Sequence, residues 1–172
     1  MDDSGKEQFR QQLHELYPRL MRAMTAYLAG STVDPEDIVQ EAFLKAYQNF
    51  DSFEGKSGMY TWIYSIARNL SIDEFRKRKY ERLLHSVPSD ELELASDTFA
   101  PDEQREEILI LRKAIAMLPE IFRSVVLMKI IDGMSYPEIS EVTGVNEQTL
   151  KNRMFRARKE LAKTLKLLGA EP

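Results

Sequence analysis

Apolar residues recur at three- and four-residue spacings along most of this 172-residue chain, and its sequence contains no strand-like alternation. That spacing puts apolar side chains on one face of a helix, so it predicts amphipathic helices and no sheet. The pattern fails once, over 84–103, where Ser, Pro, Asp and Glu give the composition of a flexible linker. We therefore predict an all-α chain in which two small helical domains, 1–83 and 104–172, are joined by an acidic linker over 84–103.

Three helices are predicted in the first domain. The periodicity of the first spans about residues 7–29. Asp34 is a suitable N-cap and Pro35 a suitable first helical residue, so a second helix begins there and ends near Phe50. A turn-rich stretch then precedes a third helix over about 59–83. We expect the three helices to form one small bundle.

The second domain has the pattern of a helix-turn-helix. Its predicted helices cover about residues 101–117, 119–131, 136–142 and 147–168. Ser135 and Glu138 form a capping box before the third of these helices, and Asn146 caps the fourth. A tight turn at Gly144 separates them. Two helices joined by a short glycine-containing turn are typical of DNA binding, and the second is the recognition helix.

Charge is segregated along the chain. The whole sequence has 24 Lys and Arg against 28 Asp and Glu, and the resulting net charge of −4 argues at first against a nucleic-acid partner. Residues 81–110, however, hold two basic residues against nine acidic ones, a local balance of −7. Five basic against two acidic residues give +3 over 65–80, and seven against two give +5 over 146–166. Two positive stretches flanking a negative one indicate a nucleic-acid binder, although each could also be a solvated helix face.

The composition excludes several other classes of protein. The chain has no cysteine, which removes disulfides, thiolate chemistry and zinc fingers. His14 and His85 have no ligand partner three or four residues later, and the seven glycines form no phosphate-binding loop. No stretch approaches the ~20 apolar residues of a membrane span, and the N-terminus, Met1-Asp2-Asp3-Ser4, carries two acidic residues where a signal peptide is basic. We expect no cofactor, no metal, no small-molecule substrate and a cytoplasmic location.

Aromatic residues cluster just before the basic run of the third helix, residues 68–79. The cluster contains Phe53, Tyr60, Trp62 and Tyr64. Rings beside positive charge suit the unstacked bases of single strands, where each stacked base contributes about 1–3 kcal/mol. Such rings also suit a protein core. Trp62 fits the core better, whereas the pattern leaves Phe53 and Tyr60 open between core and base contact.

An apolar stripe determines which side of the last helix is available to DNA. Its members fall within one narrow arc of the helix: Leu150, Met154, Ala157, Leu161, Leu165 and Leu168. Recognition helices contact bases through their first turns, so the base-edge candidates are Gln148, Thr149, Lys151, Asn152 and Phe155. The candidates for phosphate contacts are Arg153, Arg156 and Arg158. The alternative interpretation is a lysine-rich solubilising face.

These motifs resemble those of a known family. Several stretches of the N-terminal half resemble region two of bacterial sigma factors: residues 34–47 (DPEDIVQEAFLKAY), Phe53, residues 60–69 (YTWIYSIARN) and Asp73. Region four is resembled by Leu118-Pro119, residues 132–139 (DGMSYPEI) and residues 149–158 (TLKNRMFRAR). A chain with these two domains and a short linker is similar to the extracytoplasmic-function (ECF) group of alternative sigma factors, over about residues 8–168.

The resemblance implies a role in starting transcription and assigns residues to it. Polymerase docking falls to one face of the second helix: Asp37, Gln40, Glu41, Leu44 and Lys45. Recognition of the promoter's minus-ten element falls to the loop and the third helix: Phe53, Lys56, Ser57, Tyr60, Arg68, Asn69, Arg76 and Lys77. Recognition of the minus-thirty-five element falls to the last helix: Gln148, Thr149, Lys151, Asn152, Arg153, Phe155 and Arg156.

The implied partners are core RNA polymerase, promoter DNA and an anti-sigma factor, which in relatives is often tethered to the membrane. The resemblance also implies that the linker threads through polymerase channels that otherwise hold nucleic acid. A segment with a balance of −7 would mimic phosphate charge there, through acidic residues that include Asp90, Glu91, Glu93 and Asp97.

Two other functions compete with this one. A regulator could bind an operator as a dimer through its helix-turn-helix and use residues 1–80 as a sensor or dimerisation domain. A helical enzyme could use paired carboxylates such as Glu36 and Asp37. Adjacent residues do not share a helix face, however, and no His, Cys or metal-binding cluster accompanies these two.

Overall fold

The computed structural model describes residues 3–53, 55, 57–85 and 103–169. The helices of these residues are α1 (Asp3–Tyr27), α2 (Pro35–Gln48), α3 (Met59–His85), α4 (Glu103–Ala116), α5 (Glu120–Val126), α6 (Tyr136–Thr143) and α7 (Glu147–Leu167). A 3-10 turn, Phe50–Ser52, follows α2, and a π turn, Leu127–Ile131, follows α5. The described chain has no strand and forms two compact units, the first with α1–α3 and the second starting with α4. The predicted all-α architecture is confirmed.

The predicted linker lies mostly outside the described residues. Residues 86–102 are not described, and they include the acidic positions Asp90, Glu91, Glu93 and Asp97. At one end of the linker α3 continues to His85, and at the other end α4 begins at Glu103. The two helices therefore reach slightly into the segment that the sequence assigns to the linker.

The N-terminal unit is a bundle of α1, α2 and α3. Leu20 and Met24 of α1 are fully buried, as are the small residues Ala42 and Ala46 on the inner face of α2. Small side chains allow neighbouring helices to approach closely, which suits the central position of α2 in contact with both partners. Asp34 caps α2 as predicted, since its side chain accepts a hydrogen bond of 2.9 Å from the backbone N–H of Glu36.

The C-terminal unit packs α7 against α5 and α4. The helix predicted over about 119–131 differs in detail, because α5 passes into the π turn, where the N–H of Asp132 bonds to the carbonyl of Leu127 at 3.1 Å. The turn leaves Ile130 and Ile131 exposed. A core of Met128, Ile139 and Leu150 lies beneath.

Local signals set the geometry of the helix-turn-helix. Ser135 and Glu138 form the predicted capping box, with the Ser135 N–H donating to the Glu138 carboxylate at 2.7 Å. Gly144 ends α6 with a φ of +69°, a left-handed conformation that glycine adopts without strain. Asn146 then caps α7 by accepting a 2.9 Å hydrogen bond from the N–H of Thr149. The turn and the start of α7 are thus as predicted.

Candidate functional site

The face of α2 predicted to dock on polymerase is exposed. Asp37, Gln40 and Glu41 are exposed, and Leu44 leaves half of its surface open to solvent. Lys45 is half-buried and forms an ion pair of 3.7 Å with Glu41. An exposed leucine within a charged helix face is the kind of apolar contact on which protein interfaces centre.

This face forms one wall of a groove of about 610 Å³ between α2 and α3. The α2 wall contains Asp37, Gln40, Glu41 and Leu44, and the α3 wall contains Leu70, Asp73, Glu74, Lys77 and Arg78. Lys77, which is predicted to contact minus-ten DNA, has a side chain that borders this groove and lies 4.0 Å from Glu74. Leu70 and Asp73 were missed as groove residues, although their spacings of seven and four residues from Lys77 are helical spacings along one side of α3.

The predicted minus-ten loop is held by aromatic contacts. The ring of Phe53 lies 4.9 Å from that of Trp62 and 6.2 Å from that of Phe50, measured between centroids. Phe53 and Trp62 are both half-buried, so each contributes to the core and keeps part of its surface accessible. Ser57, which lies between Phe53 and Trp62 in the sequence, is half-buried. Lys56 lies outside the described residues.

Two of the clustered aromatics are core residues instead of base-stacking candidates. Tyr60 is only 8% exposed, and the guanidinium of Arg19 from α1 covers its ring at 3.7 Å from the centroid. A base could stack on that face of Tyr60 only after Arg19 moved away, so the direct contact predicted for Tyr60 is not open in this structure. Tyr64 is fully buried.

The polar candidates on α3 do not share one face of the helix, and Arg68 and Lys77 lie on opposite sides of it. Asn69 and Arg76 are exposed and seven residues apart, which places them on one face. Arg76 lies 3.7 Å from Asp73. Arg68 is half-buried, and its Nε is enclosed without a hydrogen-bond partner among the described residues. The structure thus brings together Asn69 and Arg76, but not Arg68 and Lys77.

A further basic residue of α3, Arg78, has a structural role. Its Nε donates to the Glu74 carboxylate at 2.9 Å, and its Nη1 donates to the carbonyl of Thr32 at 2.6 Å. The bond to Thr32 ties α3 to the turn between α1 and α2, while Glu74 holds the guanidinium in place from α3 itself. The basic run of α3 therefore includes at least one arginine that holds the bundle together.

The readers predicted on α7 surround its exposed side. Gln148, Lys151, Asn152, Phe155 and Arg156 are all exposed, and Phe155 leaves 61% of its surface open. Opposite them, the stripe residues Leu150, Met154 and Ala157 are buried. Thr149 and Arg153 are half-buried, and their spacing of four residues places both at the same margin of the stripe. The first three turns of α7 therefore present amide, cationic and aromatic groups together.

Lys129 and Tyr136 flank the start of α7 beside Lys151 and were not predicted from the sequence. The ammonium groups of Lys129 and Lys151 lie 5.2 and 5.7 Å from the centroid of the Tyr136 ring. Lys129 also donates to the carbonyl of Met134 at 2.9 Å, and Lys151 forms a 3.8 Å ion pair with Glu147. Tyr136 follows the capping Ser135 directly. That position in the first turn of α6 is the one sequence signal that places Tyr136 near the start of α7.

Two absences are observed among the described residues. No group of three or more His, Cys, Asp or Glu side chains there could hold a metal ion. No helix of residues 3–53, 57–85 or 103–169 is long and apolar enough to cross a membrane. Glu36, one of the carboxylates considered for an enzyme, accepts a 3.1 Å hydrogen bond from Gln40, while Asp37 borders the groove.

Comparison with known families matches both units of the chain. Residues 13–81 match the family of Sigma-70 region 2, and residues 108–161 match the family of Sigma-70, region 4. The first match covers the aromatic loop and the groove, and the second covers the helix-turn-helix. The chain therefore has the two domains of a sigma factor of the sigma-70 class.

Individual relatives narrow this class further. The chain is 32% identical over 161 residues to the ECF RNA polymerase sigma factor SigW of Bacillus subtilis. The aligned stretch covers 88% of this chain and 86% of SigW. It is 32% identical over 143 residues to the ECF RNA polymerase sigma-E factor of Escherichia coli K12, with 74% and 72% covered. The sigma factor RpoE of Bartonella quintana, solved in complex with the anti-sigma factor NepR, superposes with a TM-score of 0.77 at 28% identity, covering 93% and 98%. The chain belongs to the ECF sigma factors of RNA polymerase.

Proposed function

We propose that this alternative sigma factor binds core RNA polymerase through the groove between α2 and α3, and directs it to promoters that both units read. The N-terminal unit would capture an unpaired base of the minus-ten element, and the C-terminal unit would read the minus-thirty-five element as duplex. The protein would act as an initiation factor in the cytoplasm, with no catalysis of its own. Membership of the ECF sigma factors favours this function over an operator-binding regulator and over a helical enzyme.

One observation carries the proposal most strongly. The exposed turns of α7 present Lys151, Asn152 and Arg156 together, opposite a buried stripe and directly after a capped turn. Amide side chains pair with adenine edges in the major groove, and arginine and lysine pair with guanine edges or hold phosphates. As the second helix of a helix-turn-helix, with these side chains in its first turns, α7 is suited to lie in the major groove.

The groove of the N-terminal unit supports polymerase docking. Its α2 wall has acidic residues around the half-exposed Leu44, and Lys77 adds a positive charge from α3. An apolar centre with a charged rim is the usual arrangement of a protein interface. Charges at such a rim set the association rate and the orientation of the partner more than the affinity itself.

The aromatic loop supports capture of a base from the opened strand. Removing a base from its stack costs a few kcal/mol, which new contacts must offset. The half-buried rings of Phe53 and Trp62 offer stacking surface, the exposed Asn69 offers an amide for a base edge, and Arg76 offers a charge for phosphate. Tyr60 would support these residues from the core of the bundle and would not contact the base itself.

An anti-sigma factor is the proposed regulator. The Bartonella quintana relative was solved in complex with one. The C-terminal unit of this chain leaves several large apolar side chains exposed: Ile108, Leu111, Met117, Ile121, Ile130 and Ile131. Contiguous exposed apolar side chains mark interaction sites, and we infer that these side chains form part of the anti-sigma surface.

Run-off transcription with purified core polymerase tests the proposed function. On a library of genomic fragments, the protein should produce discrete transcripts that are absent with core polymerase alone. Asn152→Ala should weaken those transcripts, whereas Lys163→Ala, late in α7 and ion-paired with Glu160 at 2.9 Å, should leave them unchanged. The proposal is overturned if no promoter-dependent transcript forms. It is also overturned if the isolated protein binds one duplex operator tightly and specifically without polymerase.

A further inference from the structure

Four aromatic rings run in a continuous row from α1 into the minus-ten loop. We propose that Phe9 and Phe50 are positioning residues for promoter opening, because they hold Phe53 where an unpaired base can stack. Phe9 is on α1, Phe50 opens the 3-10 turn, and Trp62 is on α3. The inference rests on the proposed function of the loop and adds residues that touch no DNA themselves.

The spacing of the rings supports this role. The centroids of Phe9 and Phe50 are 4.0 Å apart, those of Phe50 and Phe53 are 6.2 Å apart, and those of Phe53 and Trp62 are 4.9 Å apart. These separations lie in or close to the range in which aromatic pairs attract each other beyond their simple burial. Phe9 is only 1% exposed, and its other neighbour is Tyr47 of α2 at 6.3 Å. Each ring beyond Phe9 is therefore held by the one before it.

Backbone hydrogen bonds fix the turn to α2 but leave the ring of Phe53 to side-chain contacts. The N–H of Ser52 bonds to the carbonyl of Asn49, and the N–H of Phe53 bonds to that of Phe50, both at 2.9 Å. The amide of Asn49 in turn donates to the carbonyl of Lys45 at 2.8 Å. All these bonds are local to the end of α2. The ring contacts of Phe50 with Phe9 and of Phe53 with Trp62 connect this turn to α1 and α3.

A binding residue must be held within a fraction of an ångström for its full interaction energy, and packing of the side chains behind it supplies that restraint. Without the ring of Phe50, Phe53 would lose one of its two ring contacts. The loop would then sample other positions, and the stacking energy would no longer offset the cost of unstacking the base. Polymerase docking and duplex reading depend on other residues, so they should be unaffected.

Full-length protein bound to core polymerase provides the test, with Phe50→Leu and Phe9→Leu as the variants. Affinity for a single-stranded oligonucleotide with the non-template minus-ten sequence should fall by about five- to a hundredfold, the range that corresponds to one stacked base. Affinity for core polymerase and for minus-thirty-five duplex should stay unchanged. Phe50→Tyr keeps the ring and should restore single-strand binding.

Phe43→Leu is the matched control. Phe43 stacks on Tyr17 at 5.7 Å between α1 and α2, so this variant also removes an aromatic contact from the bundle, but at a place that the ring row does not include. It should bind the single strand as the unmodified protein does. Trp62 is the chain's single tryptophan, and its quenching by acrylamide should rise in Phe50→Leu but not in Phe43→Leu.

The results separate this inference from the proposed function. If the unmodified protein gives no promoter-dependent transcript, the proposed function fails and the inference fails with it. If it transcribes normally and Phe50→Leu binds the single strand as tightly as Phe43→Leu does, only the inference is overturned. Phe50 is half-buried, so Phe50→Leu decides the question if Phe9→Leu does not fold.

Discussion

The two proposed DNA-reading surfaces of this sigma factor are built in different ways. The minus-thirty-five surface lies on one helix, α7, and the buried stripe behind it determines which side chains face outward. The minus-ten surface presents the rings of Phe53 and Trp62, and rings of α1 and the 3-10 turn support them from behind in a row. A duplex groove has a regular shape that a rigid helix can match, whereas an unpaired base must be enclosed by several elements.

This difference determines how far the effect of a substitution extends. A change on the outer face of α7 should alter one contact and leave its neighbours in place. A change behind the minus-ten loop should alter binding although the residue itself touches no DNA. The predictions below test whether the two units respond separately.

The largest effect is expected from the core behind α7. Leu150 is fully buried, so Leu150→Ala leaves a cavity and should lower the free energy of unfolding of the C-terminal unit by about 2–5 kcal/mol. Chemical denaturation followed by circular dichroism should then show an earlier transition for that unit. Trp62 belongs to the other unit, so the midpoint of its fluorescence transition should not move.

Leu167→Ala is the matched control, because Leu167 lies on the same helix and is 84% exposed. It should change the stability by no more than about 0.5 kcal/mol. If Leu150→Ala moves the Trp62 transition as far as the circular dichroism transition, the two units unfold together. The comparison between separate units would then be wrong.

Intermediate effects are expected from the two helix caps, one in each unit. Asp34 accepts from the N–H of Glu36 and Asn146 from that of Thr149, both at 2.9 Å. Asp34→Ala and Asn146→Ala should each cost about 1 kcal/mol, because a backbone donor at the helix start loses its partner. Asp34→Ala should shift the Trp62 transition, and Asn146→Ala should shift only the circular dichroism transition of the other unit. Reversed or equal shifts would count against this assignment.

The smallest effects on stability are expected from two matched ion pairs, both at a spacing of four residues. Glu41 and Lys45 are 3.7 Å apart on α2, and Glu147 and Lys151 are 3.8 Å apart on α7, with all four side chains about half exposed. Glu41→Gln and Glu147→Gln should each change the free energy of unfolding by less than about 0.5 kcal/mol.

Their effects on binding should nevertheless differ. Glu41→Gln should weaken polymerase binding, since it removes a charge from the groove wall. Glu147→Gln should strengthen minus-thirty-five duplex binding, since it removes a negative charge near DNA and frees Lys151. Titrations of each variant against core polymerase and duplex DNA measure both effects. Equal changes in both titrations would show that the surfaces are not separate.

The surface on α7 could be predicted from the sequence because its signals are local. The cap Asn146, the left-handed turn at Gly144 and the period of Leu150 and Met154 all act within a few residues of the readers. These signals set where the helix begins and which side is buried, and the exposed side follows from geometry alone. The place of Tyr136 between Lys129 and Lys151 could not be predicted from the sequence, because the two lysines come from different elements.

The surface of the N-terminal unit could be predicted only in part. Its helices and its aromatic cluster follow from the sequence, but the burial of Tyr60 depends on Arg19, a residue of α1 that is distant in sequence. Similarly, Lys77 borders the groove because α2 packs beside α3. The residues next to Lys77 in the sequence do not predict that packing. The row of rings that includes Phe9 joins three elements and is visible only after folding.

The central claim is that one unit reads an unpaired strand and the other reads duplex. The most direct test measures the affinity of the polymerase complex for a single-stranded minus-ten oligonucleotide and for a minus-thirty-five duplex, with Phe53→Ala and Asn152→Ala. Phe53→Ala should lower affinity for the single strand alone, and Asn152→Ala should lower affinity for the duplex alone, each by about five- to a hundredfold. If either variant lowers both affinities equally, or if Phe53→Ala leaves single-strand binding unchanged, the account is contradicted.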